Sequence, residues 1–425
     1  MPMIFCKGYL RLIVSNCLIL SVILLAGCGS LTALTSGKKG DNLPAKEVKS
    51  LPWEVYLKNK ERSGATDDTI GHPLRSYWSY DITSIFNILP FYPMQNSSPA
   101  VVDDTAYIGS TDRIFYALDL QNRKALWKFN TTGAVESSPA VFSGRVYFGT
   151  NDGIFYCLDA RNGKEIWRFN IRTEIISAPL IADGRVYFTS VDDRLYALDA
   201  ATGEKVWHYS RTYVKGKMIK RQYASPAYFN SRIYMLFSDG YLVSLNALSG
   251  KEMWKKIIDE KSSVYSRSTP TIDGSMLYII NGERMLVVLD PENGNEKWRF
   301  DTTQTVDFAI KKNMVLLMHP EGQIFAVNKV TGETIWRRKV SNGKPVSAIV
   351  AGSYLIVASN HTSVPFDIEL LATTSGYVDM FELNTGELVW TTDTYSAVAT
   401  TPVAAYNKLL FANNKGKLYV YKGKE

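Results

Sequence analysis

Carboxylates, imidazoles and thiols are the groups to weigh first for chemistry in this 425-residue chain. Asp119, Asp159, Asp199 and Asp290 recur with the regularity that a set of catalytic acids or a calcium cage could use. Each of them, however, opens a short turn of the type "LDARNG", where a carboxylate beside the backbone caps a hairpin. The four histidines, His72, His208, His319 and His361, lie far apart and show no metal-ligand spacing, so no metal site is expected. No G-x-S-x-G, phosphate loop or metal-binding helix motif occurs, so neither a nucleophile nor a catalytic residue is expected. Cys157 occupies a slot that Ala117 and Ala197 fill in neighbouring segments, which makes it a small core residue rather than a redox group.

The remaining chemistry is electrostatic. The segment 210–224 carries Arg211, Lys215, Lys217, Lys220 and Arg221 with no acid, either a solvated basic loop or a contact surface. The formal charge of +7 is a mild excess for this length, better suited to solubility or to an acidic face on a protein partner than to nucleic acid, which is not an expected partner.

The N-terminus has a different composition from the rest. Lys7 and Arg11 precede the apolar run "LIVSNCLILSVILL", which is too short for a permanent membrane span and reads as a secretory signal over residues 1–27. Residues 28–73 are polar and rich in Gly and Pro, and are expected to form a tether, with Trp53 either docked or loose.

These residues require an architecture to position them, and the sequence supplies it as copies. "LDARNGKEIWRFN" at 158–170 returns forty residues later as "LDAATGEKVWHYS", and the tryptophans Trp127, Trp167, Trp207, Trp254, Trp298, Trp336 and Trp390 mark the period. Six copies open on a small residue and a proline, among them Ser98-Pro99, Ser138-Pro139 and Thr401-Pro402. Each copy divides into four short β-rich runs, for example 139–143, 145–150, 153–159 and 164–170. Gly163, Gly203, Gly250, Gly294, Gly332 and Gly386 sit four residues before their tryptophans, where a hairpin needs positive φ. Arg123 replaces the glycine in the first copy, which predicts strain or an altered turn.

An indole on the outermost strand cannot be buried by one sheet alone, so the sheets must pack on one another. The expected fold is all-β, an eight-bladed β-propeller of four-stranded antiparallel blades over 74–425. The last copy supplies three strands. Residues 74–82, with Trp78 in the tryptophan slot, are expected to complete it and close the ring; seven blades with 74–82 outside is the other count.

"LAGC" at 25–28 resembles the bacterial lipobox, which implies cleavage before Cys28 and lipid on that cysteine. The cycling "SPxV" and "LDxxTGxxxW" pattern over 74–425 resembles the PQQ-type propeller repeat, and lipobox, tether and blade number together are most similar to the BamB family. The resemblance implies a non-enzymatic, lipid-anchored, monomeric scaffold at the outer membrane with its propeller in the periplasm. It implies docking on the POTRA domains of a BamA-like partner alongside other barrel-assembly components, and no cofactor. Gly29 after the cysteine agrees with outer-membrane retention in that family. The family's docking site lies on the connections between blades three and four and between four and five. Carried over, it comprises Met218, Lys220 and Arg221 on the first and Tyr265 and Arg267 on the second. Lys220 stands where a leucine is usual, and Tyr265 and Arg267 stand at positions that are acidic in the family. Two other functions fit the fold. One is an envelope or polysaccharide-binding module; the other is a PQQ-dependent dehydrogenase, which the family builds with calcium, an Asp base and usually a cysteine pair that this chain lacks.

Overall fold

The computed structural model describes residues 52–83, 96–211, 224–258, 268–300, 304–365 and 372–424. Eight sheets are built from these residues, seven of four strands and one of five. Blade 2 shows the pattern: Ala140–Phe142, Arg145–Gly149, Ile154–Asp159 and Glu165–Asn170, ordered from the axis outwards and each antiparallel to the next. The pattern follows from sequence. Alternation of Val, Ile, Tyr and Phe fills the two middle strands, both faces of which are buried, while the outermost strand is exposed apart from Trp167 and Phe169.

The ring closes as the sequence predicts. Leu74–Asp81 pairs antiparallel with Lys417–Gly423, setting Trp78 opposite Val420 and completing blade 8 from both ends of the propeller. The innermost strands of blades 8 and 1 then touch, and Thr401 N–H donates to Ser98 Oγ at 3.0 Å across that seam.

The hydrophobic core lies between the sheets. Clusters of buried side chains each join adjacent blades, such as Phe115, Phe148 and Tyr156 between blades 1 and 2, or Tyr147, Trp167 and Phe188 between blades 2 and 3. Cys157 is part of the latter and fully buried, and burial pushes its thiol up to about 12.

The tryptophans are less deeply covered than the sequence suggests. Only Trp167 and Trp336 of the eight repeat tryptophans are buried; the others are half-buried at the rim. They act instead as clamps. The indole N–H of Trp127, Trp167, Trp207 and Trp254 donates to a carbonyl of the following blade, Ala160, Ala200, Ala247 and Pro291 respectively. A tyrosine of the second strand, Tyr107, Tyr147, Tyr187 or Tyr234, donates to that same oxygen.

The turn glycines gain a second reason for being glycine. Gly203 has φ +77°, and a Cβ there would come within 2.6 Å of the Trp167 ring, so the backbone lies flat on the indole of the preceding blade. Arg123, which lacks that freedom, still adopts φ 56° and lays its guanidinium 4.2 Å from the centre of the Tyr77 ring.

The expectation of a tether fails for residues 52–73. Trp53 is 1% exposed and exchanges backbone hydrogen bonds with Val101. From there the segment visits one innermost strand after another: Glu54 O accepts from Val141, Lys60 O from Tyr228, Glu61 O from Ile272 and Gly64 O from Val350. Ala65–Thr66 adds a parallel strand to blade 7. Arg62, 1% exposed, donates to the carbonyls of Tyr56, Ala178, Pro179 and Pro226, tying blade 3 to blade 4. The cause is the free edge of every innermost strand, whose N–H and C=O groups face the axis and need partners. A polar, glycine-bearing segment suits that task as well as it suits disorder, and composition does not separate the two.

Candidate functional site

Strands alternate direction along a blade, so the connections between blades share one face with the hairpins joining second and third strands. The axial segment lies at the opposite mouth, beside the hairpins that join first and second strands: Asp68 Oδ2 accepts from Tyr406 and Thr66 O from Gly352, both in such turns. The axis is therefore floored on one side and faces the inter-blade loops on the other, a funnel.

The predicted docking residues Met218, Lys220, Arg221, Tyr265 and Arg267 lie outside the described residues, as do Cys28 and the signal segment 1–27. The roots of the loops are described. Arg211, the first cation of the basic run, is not available to a partner: its Nε donates to Asp239 Oδ2 at 2.7 Å and its guanidinium lies 4.2 Å from the Tyr241 ring centre. It fastens the start of the connection between blades 3 and 4 to the loop of blade 4. The stretch 360–376 begins and ends as sheet: Tyr354–Ser363 and Thr373–Glu382 continue the blade 7 hairpin to the Ser363–Thr373 pair, several residues beyond the other blades.

The recurring aspartates are turn caps. Asp119 Oδ1 accepts from the amides of Gln121 and Asn122, and Asp159 and Asp199 repeat the arrangement. These hydrogen bonds hold the carboxyls of Asp119 and Asp199 below the usual range, and the Arg161 side chain and amide do so for Asp159.

Inside the funnel, the small residue that opens each copy forms an inner ring. Its amide donates to the hydroxyl of the next blade: Ser98 N–H to Ser138 Oγ at 2.9 Å, Ala178 N–H to Ser225 Oγ at 2.9 Å, Ser225 N–H to Thr269 Oγ1 at 3.2 Å. Strand register assigns the two remaining positions to Asp307 in blade 6 and Ser347 in blade 7, since Ala309 and Ile349 stand where Thr271 stands in blade 5. The sequence reading missed both because no proline follows them. Ser347 was within reach of spacing, being eleven residues after Trp336 as Ser138 is after Trp127.

The ring surrounds a cavity of about 380 Å³ whose lining includes Glu136, Asp307, Ser347, Asn360 and, on the floor, Tyr56. Glu136 is 2% exposed and accepts from Asn96 and Asn151. Asp307 Oδ2 accepts from the Ala348 amide at 2.8 Å, and burial raises its carboxyl to about 7 against the lowering effect of backbone N–H donors. No Lys or Arg lines this cavity among the described residues. That lining does not fit PQQ, whose carboxylates would meet Glu136 and Asp307 with no described cation to pair them. No group of three or more acidic, His or Cys side chains among the described residues could hold a metal ion.

Comparison with known proteins places this architecture. The family model described as outer membrane protein assembly factor BamB matches residues 110–280. The outer membrane protein assembly factor BamB of Kangiella koreensis is 26% identical over 156 residues, a stretch that is 36% of this chain and 36% of that protein. The aligned part thus spans about a third of that relative's length. The crystal structure of BamB from Moraxella catarrhalis superposes with a TM-score of 0.62 at 18% identity, covering 83% of this chain and 98% of that one. Quinohemoprotein alcohol dehydrogenase from Comamonas testosteroni superposes with a TM-score of 0.70 at 14% identity over 88% of this chain and 81% of that one, a likeness of fold. With eight repeat-built blades and the matched family segment, the chain is a BamB-like β-propeller of PQQ-type repeats.

Proposed function

We propose that this protein is a lipid-anchored, non-enzymatic scaffold of outer membrane β-barrel assembly, docking through its loop face on a BamA-like partner. The observation that carries the reading is the position of the family match: residues 110–280 include both inter-blade connections, 210–224 and 257–268, on which the family's docking site is built. A closed ring of sheets carries them, with the first connection rooted by the Arg211–Asp239 pair, and long loops on such a frame are suited to binding. Met218, Lys220 and Arg221 form one half of the contact and Tyr265 and Arg267 the other. The basic and aromatic character of the second half calls for a more acidic partner surface than the family's acidic pair would meet. Cys28 carries the lipid, residues 1–27 are removed, and the propeller stands in the periplasm as a monomer.

Affinity capture from solubilised envelopes tests this. The expected catch contains a BamA-like barrel protein with POTRA domains, reduced about tenfold or more by Arg221→Glu. Capture of envelope components without any barrel-assembly protein would overturn the reading in favour of an envelope-binding module. Turnover of an alcohol with added PQQ and calcium would overturn it in favour of a dehydrogenase, the activity named for the Comamonas neighbour.

A further inference from the structure

One stretch of the funnel wall is built for a ligand that nothing above assigns. Blades 6 and 7 meet there, and the 380 Å³ cavity joins a second of about 500 Å³ through Tyr56, Val306, Asp307 and Val346, common to both linings. Three oxygen acceptors line this wall: Asp307 faces both cavities, Ser347 the first and Thr305 the second. Asp307 holds the ring position in blade 6, Ser347 the next in blade 7, and Thr305 precedes Asp307 by two residues along the same strand approach. Ser347 is 7% exposed and Thr305 1% exposed, and neither Ser347 Oγ nor Thr305 Oγ1 has a hydrogen-bond partner. Two unpartnered hydroxyls beside a half-buried carboxylate are costly in a folded protein unless something completes them.

We propose that this wall is a binding site for a small organic ammonium ion, a primary amine whose N–H groups are received by Asp307 and Ser347 in the first cavity, with Thr305 a further acceptor in the second. The chemistry selects this class. All three groups accept, one is acidic, and an alkylammonium offers three donors and one positive charge in a volume either cavity can hold. Glu136 on the opposite side of the ring, four blades away, adds a second negative charge, so a linear diamine is favoured over a monoamine. Arg284 lines the second cavity, and Asp307 Oδ2 accepts from the Ala348 amide. Burial raises the Asp307 carboxyl to about 7, and an ammonium seated on it would return it to the ionised form. The axial segment makes the site blind, so the ligand enters from the loop face.

Calorimetry with the purified chain and 1,4-diaminobutane tests the site, with 1,4-butanediol as the uncharged counterpart. The diamine is expected to bind and the diol not to. Asp307→Asn, which keeps an acceptor for the Ala348 amide, should weaken binding about tenfold or more, and Ser347→Ala about threefold. Ser347→Ala removes a hydroxyl that no structural partner uses, so it decides the matter should the Asp307 variant fail to fold. Diol binding equal to diamine binding, diamine affinity unchanged in both variants, or no diamine binding at millimolar concentration would each overturn the proposal.

Discussion

The junction between blades 2 and 3 and the junction between blades 5 and 6 derive from the same repeat and are put together differently. In the first, Trp167 and Tyr147 both donate to Ala200 O, Gly203 lies against the Trp167 ring, and Phe155 stacks on Phe188 with centroids 4.1 Å apart. In the second, the Trp298 indole N–H is buried without a partner, Tyr278 OH turns back to Met276 Sδ, and Gly332 has nothing within 4 Å of its Cβ position. The small residue and proline that open six of the copies are replaced there by Asp307 and Phe308. A surface ion pair, Lys329 to Asp273 at 2.6 Å, bridges the two blades instead. A repeat fold tolerates such a junction because each blade contacts chiefly its neighbours, so a weak seam is carried by the strong ones around the ring. The departure coincides with the only carboxylate in the inner ring, consistent with relaxed packing where a polar wall is needed.

The comparison can be broken most directly at the indoles. Trp167→Ala is expected to cost about 3–5 kcal/mol, with a loss of about half that or less for Trp298→Ala, read from denaturant unfolding. Equal losses would mean that the two seams are equivalent in energy. Alanine at the turn glycines comes next. Gly203→Ala must relieve both a positive φ and a collision with the Trp167 ring, about 2–4 kcal/mol, whereas Gly332→Ala carries the backbone cost alone, about 1 kcal/mol. Removal of a hydroxyl should separate the seams again: Tyr147→Phe deletes a hydrogen bond to Ala200 O and costs about 1 kcal/mol, while Tyr278→Phe changes stability by less than about 0.5 kcal/mol.

A further difference is a pH dependence confined to the weaker region. The Asp307 carboxyl titrates near 3.8 when unfolded and near 7 when folded, so between these values the folded chain holds a proton that the unfolded chain has lost. Its contribution to stability is greatest below the lower value and declines as pH rises towards about 7. Asp307→Asn should therefore flatten the stability profile over that window and stabilise the fold at pH 8 relative to the parent. A profile unchanged by the substitution would show that the carboxyl is hydrated rather than buried.

Much of this molecule was legible before any coordinates. The tryptophan period, the glycine four residues earlier and the three-strand final copy sufficed for eight blades and for the closing strand at Leu74–Asp81. They are legible because hairpin turns and strand alternation are local, set by a few neighbouring residues. The candidate site was less so. Asp307 is hidden because its ring position follows from strand register, and the basic run does not reveal that Arg211 is occupied by Asp239. Residues 52–73 are ambiguous for a similar reason: a segment rich in Gly, Pro and charge can stay loose or serve as hydrogen-bonding filler, according to what edges it meets.

Sequence by itself determined the repeated unit, the number of copies and the turn at which each copy folds back, because short-range sterics and alternation of apolar side chains leave little choice. Tertiary structure decided which mouth of the axis is closed, which seam is weak and which oxygens face the funnel together. Those outcomes depend on groups brought from opposite ends of the chain, such as Arg62 with Pro226 or Asp68 with Tyr406, and no local pattern encodes a meeting across so many residues.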